Sequence, residues 1–443
     1  MATGIKIIAQ HYDISTGEIL ESQEIRSDDL HSPNHLKDLG YLHLEQIDLL
    51  SKCQEFKISR QIKLVNNSNV CPICGSKAVK MGKYTSDFHA IFSDHTVEIQ
   101  RIKCKGGCNL PYKLEGLFGS NTHPDLLKKQ AELTAEKSYV KASKELNYDA
   151  FEDRAINNRT HLSRVSSKVS TALEVIKTQA IPTPEKGVNE LVAVIDGGHI
   201  KDRGEGRSFE AMTAAIYHPK NMEYIDKNHT KITKKQVVGS AKDDNQQCMK
   251  LQFKNACILE GLGENTKITC LADGADNCWA VARSISTECQ QVVCILDWFH
   301  IGMKFKNHQS AISDDKKNEY EAVKWYLWHG NSEKAIIKLQ GLIASTECIK
   351  SKNKLNKLQT YIANNKDKIV NYAQREQEGL IYASSYAEST VNNLINVRQK
   401  NKQRMTWTRE GAHQIIQIRA AKMGSNWEKD WLAVEKEIYR KAV

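Results

Sequence analysis

The sequence predicts an α/β domain with an α-helical insertion, preceded by a small β domain and an α-helical region. Three observations support this prediction. Three short apolar runs of the strand type each end in an aspartate, at Asp196, Asp273 and Asp297. Residues 303–380 have helical spacing and few strand signals. Two closely spaced cysteine pairs flank an alternating segment that is typical of antiparallel strands.

Length and composition describe an ordinary globular protein. The chain has 443 residues, of which 40% are hydrophobic and 26% are charged. No stretch has the roughly 18 uncharged apolar residues that a membrane span requires. The N-terminus lacks the apolar core and cleavage site of a signal peptide. We therefore expect a cytoplasmic protein.

The excess of positive charge lies in the C-terminal third. The net charge is +10, and residues 300–443 alone hold 25 Lys and Arg against 15 Asp and Glu. A basic segment attracts a polyanion, usually nucleic acid, because neutralising phosphates releases condensed counterions. A solvated helical face explains the charge equally well.

Residues 1–60 are predicted to form an α+β module. Residues 5–25 alternate around a turn-like segment at 13–18, and residues 42–56 have helical spacing. No motif here carries chemistry. The role of the module stays open, with docking or oligomerisation as one interpretation.

Residues 61–120 contain a metal-binding pattern. Cys71 and Cys74 form one pair, and Cys104 and Cys108 form a second pair. In a cytosolic chain of this size, clustered cysteines indicate a metal site and not disulfides. Four thiolates satisfy tetrahedral zinc and leave no open position for water. The sequence therefore predicts a zinc ribbon with a structural Zn²⁺, the alternative being a set of buried thiols.

Residues 121–180 have the pattern of a helix-turn-helix. Residues 138–146 would form its first helix, and the recognition helix would begin near Asn158. Arg159, Thr160 and Arg164 could then reach phosphates and base edges from a major groove. Because such patterns are loose, a plain helical bundle is the alternative.

Residues 188–302 contain buried strands that end in carboxylates. The runs 191–195, 268–272 and 292–296 precede Asp196, Asp273 and Asp297. Ligands gather at the carboxyl ends of strands in α/β sheets, and Mg²⁺ prefers a few carboxylates with water and phosphates. One Asp-Gly pair at a strand end is weak support because it also forms turns. Three aspartates in register are stronger support for a divalent-cation site.

These motifs resemble the RNase H-like catalytic domain of insertion-sequence DDE transposases, in the branch related to Mutator-like elements. Those enzymes have a first Asp on the first strand, a second Asp followed by Gly, and a Cys/Asp-x-x-His motif. The matching residues are Asp196, Asp273 with Gly274, and Asp297 with His300. The resemblance implies a catalytic domain at 188–302 and 381–425 and an α-helical insertion at 303–380. We expect a C-terminal helix at 426–443.

The resemblance places the third catalytic acid at Glu388. The 115 positions from Asp273 to Glu388 suit a fold with a helical insertion. A serine at 384 or 385 can cap a helix that carries Glu388 in its first turn. Residues 404–412 are similar to the Met-x-Trp-x-x-Glu-Gly signature of Kra-type insertion sequences. The chain departs from that family at 383–385, where Ala-Ser-Ser stands in place of Gly-Ser-Gly.

The resemblance implies a metal-dependent DNA transposase. Asp196, Asp273 and Glu388 would bind two Mg²⁺ or Mn²⁺ ions, with Asp196 bridging them. Hydrolysis would free a 3′-hydroxyl at the end of the element, which would then attack target DNA. Asp297 and His300 would be accessory residues.

Basic side chains near the third acid are expected to bind backbone phosphate, which gives affinity without sequence choice. They are Arg398, Lys400, Lys402, Arg404 and Arg409. The expected partners are element ends and target DNA, with a homo-oligomer in the DNA complex and a nucleoid-associated location. Neither a membrane nor a small-molecule substrate is expected.

Two other functions stay open. One is a catalytically inactive descendant that regulates by binding DNA, although the intact acidic trio argues against it. The other is an RNase H-like nuclease that cleaves without strand transfer, which does not account for the C-terminal signature or the long insertion.

Overall fold

The structure is a computed structural model, and it describes residues 3–67, 69–71, 74–110, 112–150, 153–204, 206–226, 229–384, 392–401 and 405–439. The chain forms two compact units. The first comprises Met1–Ala172 with Trp431–Val443, and the second comprises Leu173–Asp430.

The first unit begins with a hairpin and a long helix. Strands β1 (Thr3–Tyr12) and β2 (Ile19–Leu30) are antiparallel, and helix α1 (His43–Asn66) follows. Gly17, with a φ of 74°, lies in the turn between the strands, where the left-handed backbone favours glycine. Most side chains of the hairpin are exposed.

A second hairpin and a group of helices complete the first unit. The hairpin is β3 (Ala78–His89) with β4 (Asp94–Cys104), and the helices are α2 (Leu114–Phe118), α3 (Pro124–Glu136), α4 (Tyr139–Tyr148) and α5 (Arg159–Thr178). Helix α5 belongs to the first unit up to Ala172 and to the second unit from Leu173. The Asn158 side chain accepts a hydrogen bond from the His161 backbone N–H at 2.8 Å and so caps α5. Residues 149–158 join α4 to α5. This connection is longer than the three- or four-residue turn of a compact helix-turn-helix.

The second unit is built on a five-stranded mixed sheet. In chain order its strands are β5 (Glu190–Lys201), β6 (Ser208–Tyr217), β9 (Gln236–Ser240), β10 (Lys267–Ala272) and β11 (Gln291–Leu296). A separate hairpin consists of β7 (Met222–Asp226) and β8 (His229–Ile232). The spatial order is β11-β10-β5-β6-β9. The pairs β5–β10 and β10–β11 are parallel, and the pairs β5–β6 and β6–β9 are antiparallel.

Helices cover this sheet and extend its core. They are α6 (Gln247–Leu259), α7 (Asp276–Arg283), α8 (Trp298–His308), α9 (Lys317–Trp328), α10 (Ser332–Ala344), α11 (Ile349–Asn364), α12 (Tyr372–Gln377), the π-helical segment Asn392–Asn401 and α13 (Arg409–Met423). A last helix, α14 (Trp427–Ile438), belongs to the first unit from Trp431 on. Buried residues of α9, α10 and α11 share one hydrophobic cluster with the sheet. The α/β architecture predicted from the sequence is thus confirmed at the level of a mixed sheet with helices.

Among the helices of the described ranges, none is long and apolar enough to cross a membrane.

Candidate functional site

Three aspartates follow neighbouring strand positions at one edge of the sheet. Ile195 of β5 pairs with Ala272 of β10, and Ala272 pairs with Leu296 of β11. The next residues along the three strands are Asp196, Asp273 and Asp297. Asp273 and Asp297 directly follow the ends of β10 and β11, whereas β5 continues to Lys201, so Asp196 lies within its strand and not at the strand end that the sequence predicts. Because the three strands are parallel and in register, the three aspartates still occupy adjacent positions, next to the carboxyl ends of β10 and β11, where α/β sheets bind ligands.

Asp196 lies on the central strand and is half-buried. Its Oδ1 accepts a hydrogen bond from the Gly197 backbone N–H at 2.7 Å, and its Oδ2 lies 4.0 Å from His300 Nε2. Burial raises the pKa of Asp196 to about 6, while His300 opposes this rise and the charge of Asp273 adds to it. A cation beside this carboxylate would stabilise its ionised form.

Asp273 lies in a turn that the helical insertion holds. Its Oδ1 accepts a hydrogen bond from the Ala275 backbone N–H at 2.9 Å, and its backbone oxygen accepts one from the Tyr361 hydroxyl at 3.0 Å. Gly274 has a φ of 100°, and a Cβ added there would lie 2.8 Å from Asn365 Nδ2. Glycine is therefore favoured at position 274, both by the left-handed backbone conformation and by the close approach of Asn365.

Asp297 is buried and organises its surroundings. Its Oδ1 accepts backbone hydrogen bonds from Phe299 at 3.1 Å, at the start of α8, and from Ser384 at 2.8 Å. The Ser384 hydroxyl donates to its Oδ2, and His300 Nε2 lies 3.6 Å from the same oxygen. Burial raises the pKa of Asp297, which these hydrogen bonds and His300 partly offset. Because both oxygens have partners, Asp297 is placed to orient residues around the edge.

Glu210 is a carboxylate near this edge that the sequence analysis missed. It lies on β6 opposite His199, and its Oε2 accepts a hydrogen bond from Asn277 Nδ2 at 2.6 Å. Its carboxylate fills the space that a side chain at residue 197 would need. A single Glu within a strand carries no motif, so no signal in the sequence could have identified it.

The pKa of the buried Cys278 thiol is affected by three acids of this region. Burial raises the pKa of Cys278, and the negative charges of Asp273, Asp196 and Glu210 raise it further. Asp273, Asp196 and Glu210 therefore lie within electrostatic reach of Cys278 in α7.

Glu388, Lys402 and Arg404 lie outside the described residues. The edge of the sheet that carries Asp196, Asp273 and Asp297 is called the aspartate edge below. Described residues on both sides of the stretch 385–391 contact this edge or strand β5. Ser384 binds Asp297, and Ile395 Cδ1 lies 2.8 Å from the position that a Cβ at Gly198 would occupy. Gly198 is two residues beyond Asp196 on β5.

A group of four cysteines forms in the first unit. The sulfur atoms of Cys71, Cys74, Cys104 and Cys108 all lie within 4.8 Å of one another. The Gly106 backbone N–H donates a hydrogen bond to Cys104 Sγ at 3.1 Å. The Ser76 hydroxyl and backbone N–H lower the pKa of Cys74 to about 6, which favours the thiolate. This four-cysteine group can hold a structural metal ion such as zinc.

Within the described ranges, one further group of three or more His, Cys, Asp or Glu ligands is equally close, and it consists of Glu174, Cys248 and His413. The strand-end aspartates do not form such a group there. Their carboxylates share an edge of the sheet but are not drawn together into a ready set of three ligands.

The basic residues expected at DNA have different environments. Arg159, Thr160 and Arg164 are exposed on the first turns of α5. Lys400 is half-buried in the π-helical segment, where burial lowers its pKa and the charge of Asp196 raises it. Lys400 therefore lies within electrostatic reach of the aspartate edge.

The side chains of two of these arginines contact other residues of the same chain. Arg398 is fully buried, with its guanidinium 4.8 Å from the centre of the Trp407 ring. Arg409 is half-buried, donates to the Ala241 backbone oxygen at 3.1 Å and lies 5.0 Å from the centre of the Phe209 ring. The expectation that Arg398 binds phosphate does not fit this conformation, because a buried guanidinium cannot reach DNA.

No model of a known protein family matches the chain, and no curated protein matches it.

Proposed function

We propose that the chain is a DDE-type DNA transposase with an RNase H-like catalytic domain. The observation that carries this proposal is the register of β5, β10 and β11, which sets Asp196, Asp273 and Asp297 at adjacent positions on neighbouring strands. The mixed sheet, with the first aspartate on its central strand, is compatible with that fold. The motifs at Asp273-Gly274 and Asp297 to His300 resemble those of the same family.

Asp196 and Asp273 would bind divalent metal, and Glu388 would complete the set. When bound, two Mg²⁺ or Mn²⁺ ions would supply activation of the attacking water or hydroxyl and stabilisation of the leaving oxygen. The raised pKa of Asp196 supports this role, because burial disfavours the ionised carboxylate and a bound cation would offset that cost. The contacts of Ser384 with Asp297 and of Ile395 with Gly198 support Glu388 as the third ligand, since these residues lie on either side of its stretch in the sequence and both reach the region around Asp196.

The remaining residues of the edge would position these ligands. Asp297 would hold His300 and residue 384, and Tyr361 would hold the backbone of Asp273. Lys400 would bind a phosphate next to Asp196, because a cation within reach of the carboxylates can balance the charge of incoming DNA. The exposed residues Arg159, Thr160 and Arg164 of α5 would bind DNA away from the cut.

The test is a strand-transfer assay with the purified chain, Mg²⁺ or Mn²⁺, and labelled DNA that carries the sequences flanking the gene. We expect joined products that disappear in Asp196→Asn, Asp273→Asn and Glu388→Gln. Asp276→Asn is the matched control, since this exposed acid lies three residues from Asp273 and should keep full activity.

Three outcomes separate the candidate functions. Joined products that depend on the three acids support the transposase. Cleavage without joining would instead identify a nuclease, and DNA binding without cleavage would identify a regulator. Activity that persists in all three variants would show that the aspartate edge has no role in the reaction.

A further inference from the structure

Three metal-ligating side chains converge at a place that the proposed chemistry does not use. Glu174 of α5, Cys248 of α6 and His413 of α13 have ligand atoms within 4.8 Å of one another. Cys248 and His413 are only 4% and 5% exposed, and Glu174 is half-buried. The three residues belong to the second unit, and each comes from a different helix.

The spacing of this group suits one metal ion. His413 Nε2 and Glu174 Oε2 lie 3.1 Å apart. Two ligands on a tetrahedral zinc with bonds near 2.0–2.1 Å are separated by about 3.3 Å. The same spacing therefore serves as a hydrogen bond without metal and as a ligand pair with metal. The Gln252 side chain donates to Cys248 Sγ at 3.3 Å, a contact that orients the sulfur.

The backbone next to this group is strained, and one buried oxygen has no hydrogen-bond partner in the part of the chain that the structure describes. Asn245 and Gln246 have φ values of 52° and 65°, in the left-handed region that non-glycine residues rarely adopt. Asp244 accepts the Cys248 backbone N–H on Oδ2 at 2.9 Å, while its buried Oδ1 has no hydrogen-bond partner among the described residues. Strain and unsatisfied polar atoms concentrate at functional sites.

We propose that Glu174, Cys248 and His413 bind a zinc ion, which is separate from the four-cysteine group and ties α5, α6 and α13 together. A thiolate, an imidazole and a carboxylate form a donor set that zinc accepts. The two anionic ligands balance the charge of the ion. A water would take the fourth position.

Binding requires two local changes. Lys242, whose ammonium donates to Glu174 Oε1, is 42% exposed and moves into solvent as the ion replaces its charge. The ring of His413 has the Ala241 backbone N–H at 3.3 Å from Nδ1 and Ser240 Oγ at 3.4 Å. The Ala241 N–H donates to Nδ1, which is therefore unprotonated in this structure. When Nε2 binds the ion, Nδ1 has to carry the proton, so the hydrogen bond from Ala241 is lost and the Nδ1–H group donates a hydrogen bond to Ser240 Oγ. The Cys248 thiol loses its proton to solvent, so affinity rises with pH.

The test counts zinc in the full-length chain after loading and desalting. The Asp196→Asn background keeps the aspartate edge from adding an ion, and the result does not depend on the transposase proposal. We expect two zinc ions per chain, and one after Cys248→Ser or His413→Gln. Cys289→Ser is the matched control, because this half-buried cysteine lies outside the group and should leave two ions.

A second variant does not disturb the buried ligands. Lys242→Ala removes the competing ammonium, and we expect it to tighten zinc binding about fivefold. A single ion in the parent chain, or a second ion that survives both ligand substitutions, would overturn the proposal. Unchanged or weaker zinc binding in Lys242→Ala would also count against it.

Discussion

The backbone N–H of Ser384 donates a hydrogen bond to Asp297 Oδ1 at 2.8 Å, and its hydroxyl donates to the other oxygen of the same carboxylate. This contact joins the end of β11 to a residue 87 positions later in the chain. It brings the start of the stretch that contains Glu388 to the aspartate edge. Both partners are buried, so their loss has a measurable cost.

Ser384→Ala should destabilise the protein. The substitution leaves one oxygen of the buried Asp297 carboxylate without its hydroxyl donor, and such a loss costs about 1–3 kcal/mol. Urea denaturation measures the free energy of unfolding. Ser208→Ala, at an exposed serine of β6, should change it by less than about 0.5 kcal/mol. Equal effects of the two substitutions would show that the contact with Asp297 adds nothing.

Gly198→Ala should force Ile395 away from β5. The added Cβ would lie 2.8 Å from Ile395 Cδ1, and crowding of this kind costs about 1–3 kcal/mol. Ile395→Val removes that Cδ1 atom, so the double variant should recover most of the loss. A double-mutant cycle measured by urea denaturation gives the coupling. Additive effects would mean that the two residues do not meet as described.

Asp94 should stabilise the first unit in a pH-dependent way. Burial raises the pKa of Asp94, but hydrogen bonds from His89 and Arg154 outweigh this and hold it well below the ordinary value of 3.8. A group whose pKa is lowered in the folded state adds stability above its unfolded pKa. That stability is lost as the pH falls towards the folded pKa.

We therefore expect Asp94→Asn to lower the free energy of unfolding by about 1 kcal/mol at pH 7, a modest value because the carboxylate is partly exposed. The difference from the parent should stay constant down to about pH 5 and shrink below about pH 4. Urea denaturation across this range checks it, with the exposed Asp29→Asn as control. A difference that persists unchanged at low pH would contradict the assigned cause.

Loss of one ligand of the four-cysteine group should release a metal ion. We expect Cys71→Ser to bind one zinc fewer per chain and to make the β3–β4 hairpin sensitive to protease, because a structural ion contributes folding energy. Elemental analysis and limited proteolysis measure the two effects. The exposed Cys53→Ser should change neither. Unaltered zinc in Cys71→Ser would exclude the four-cysteine group as a zinc site.

Arg164→Ala should weaken DNA binding without changing sequence preference. If the exposed guanidinium binds one phosphate, affinity should fall about fivefold and the salt slope should decrease by about 0.9. Fluorescence anisotropy at several salt concentrations measures both quantities. The matched control is Lys352→Ala, an exposed cation of α11. If the salt dependence of DNA affinity is the same for the parent and Arg164→Ala, Arg164 does not contact a DNA phosphate.

The sequence predicted the features that local patterns encode. An apolar run followed by Asp predicts a strand end, and β10 and β11 do end just before Asp273 and Asp297. The same prediction is wrong for Asp196, because β5 continues to Lys201 through its pairing with β6. The cysteine spacing likewise predicted that Cys71, Cys74, Cys104 and Cys108 would meet, and they do.

Features that depend on distant neighbours could not be predicted. Glu210 reaches the edge only because β6 pairs with β5, and Glu174, Cys248 and His413 meet across 74 and 165 positions of sequence. Arg398 was assigned to DNA from its charge alone. Its burial against Trp407 follows from tertiary packing that no local pattern records.

The hydroxyl groups of the insertion have a consequence for redesign of the chain. Tyr361 donates to the backbone of Asp273, and Tyr372 donates to the backbone of Leu296 at 2.7 Å. Since residues 303–380 also contribute buried leucines to the core of the sheet, they cannot be excised as a separate lobe. A minimal version made of the five strands alone would lose the groups that fix two of its strand ends. The insertion is therefore part of the scaffold of the site, and grafting this site elsewhere would require transferring both.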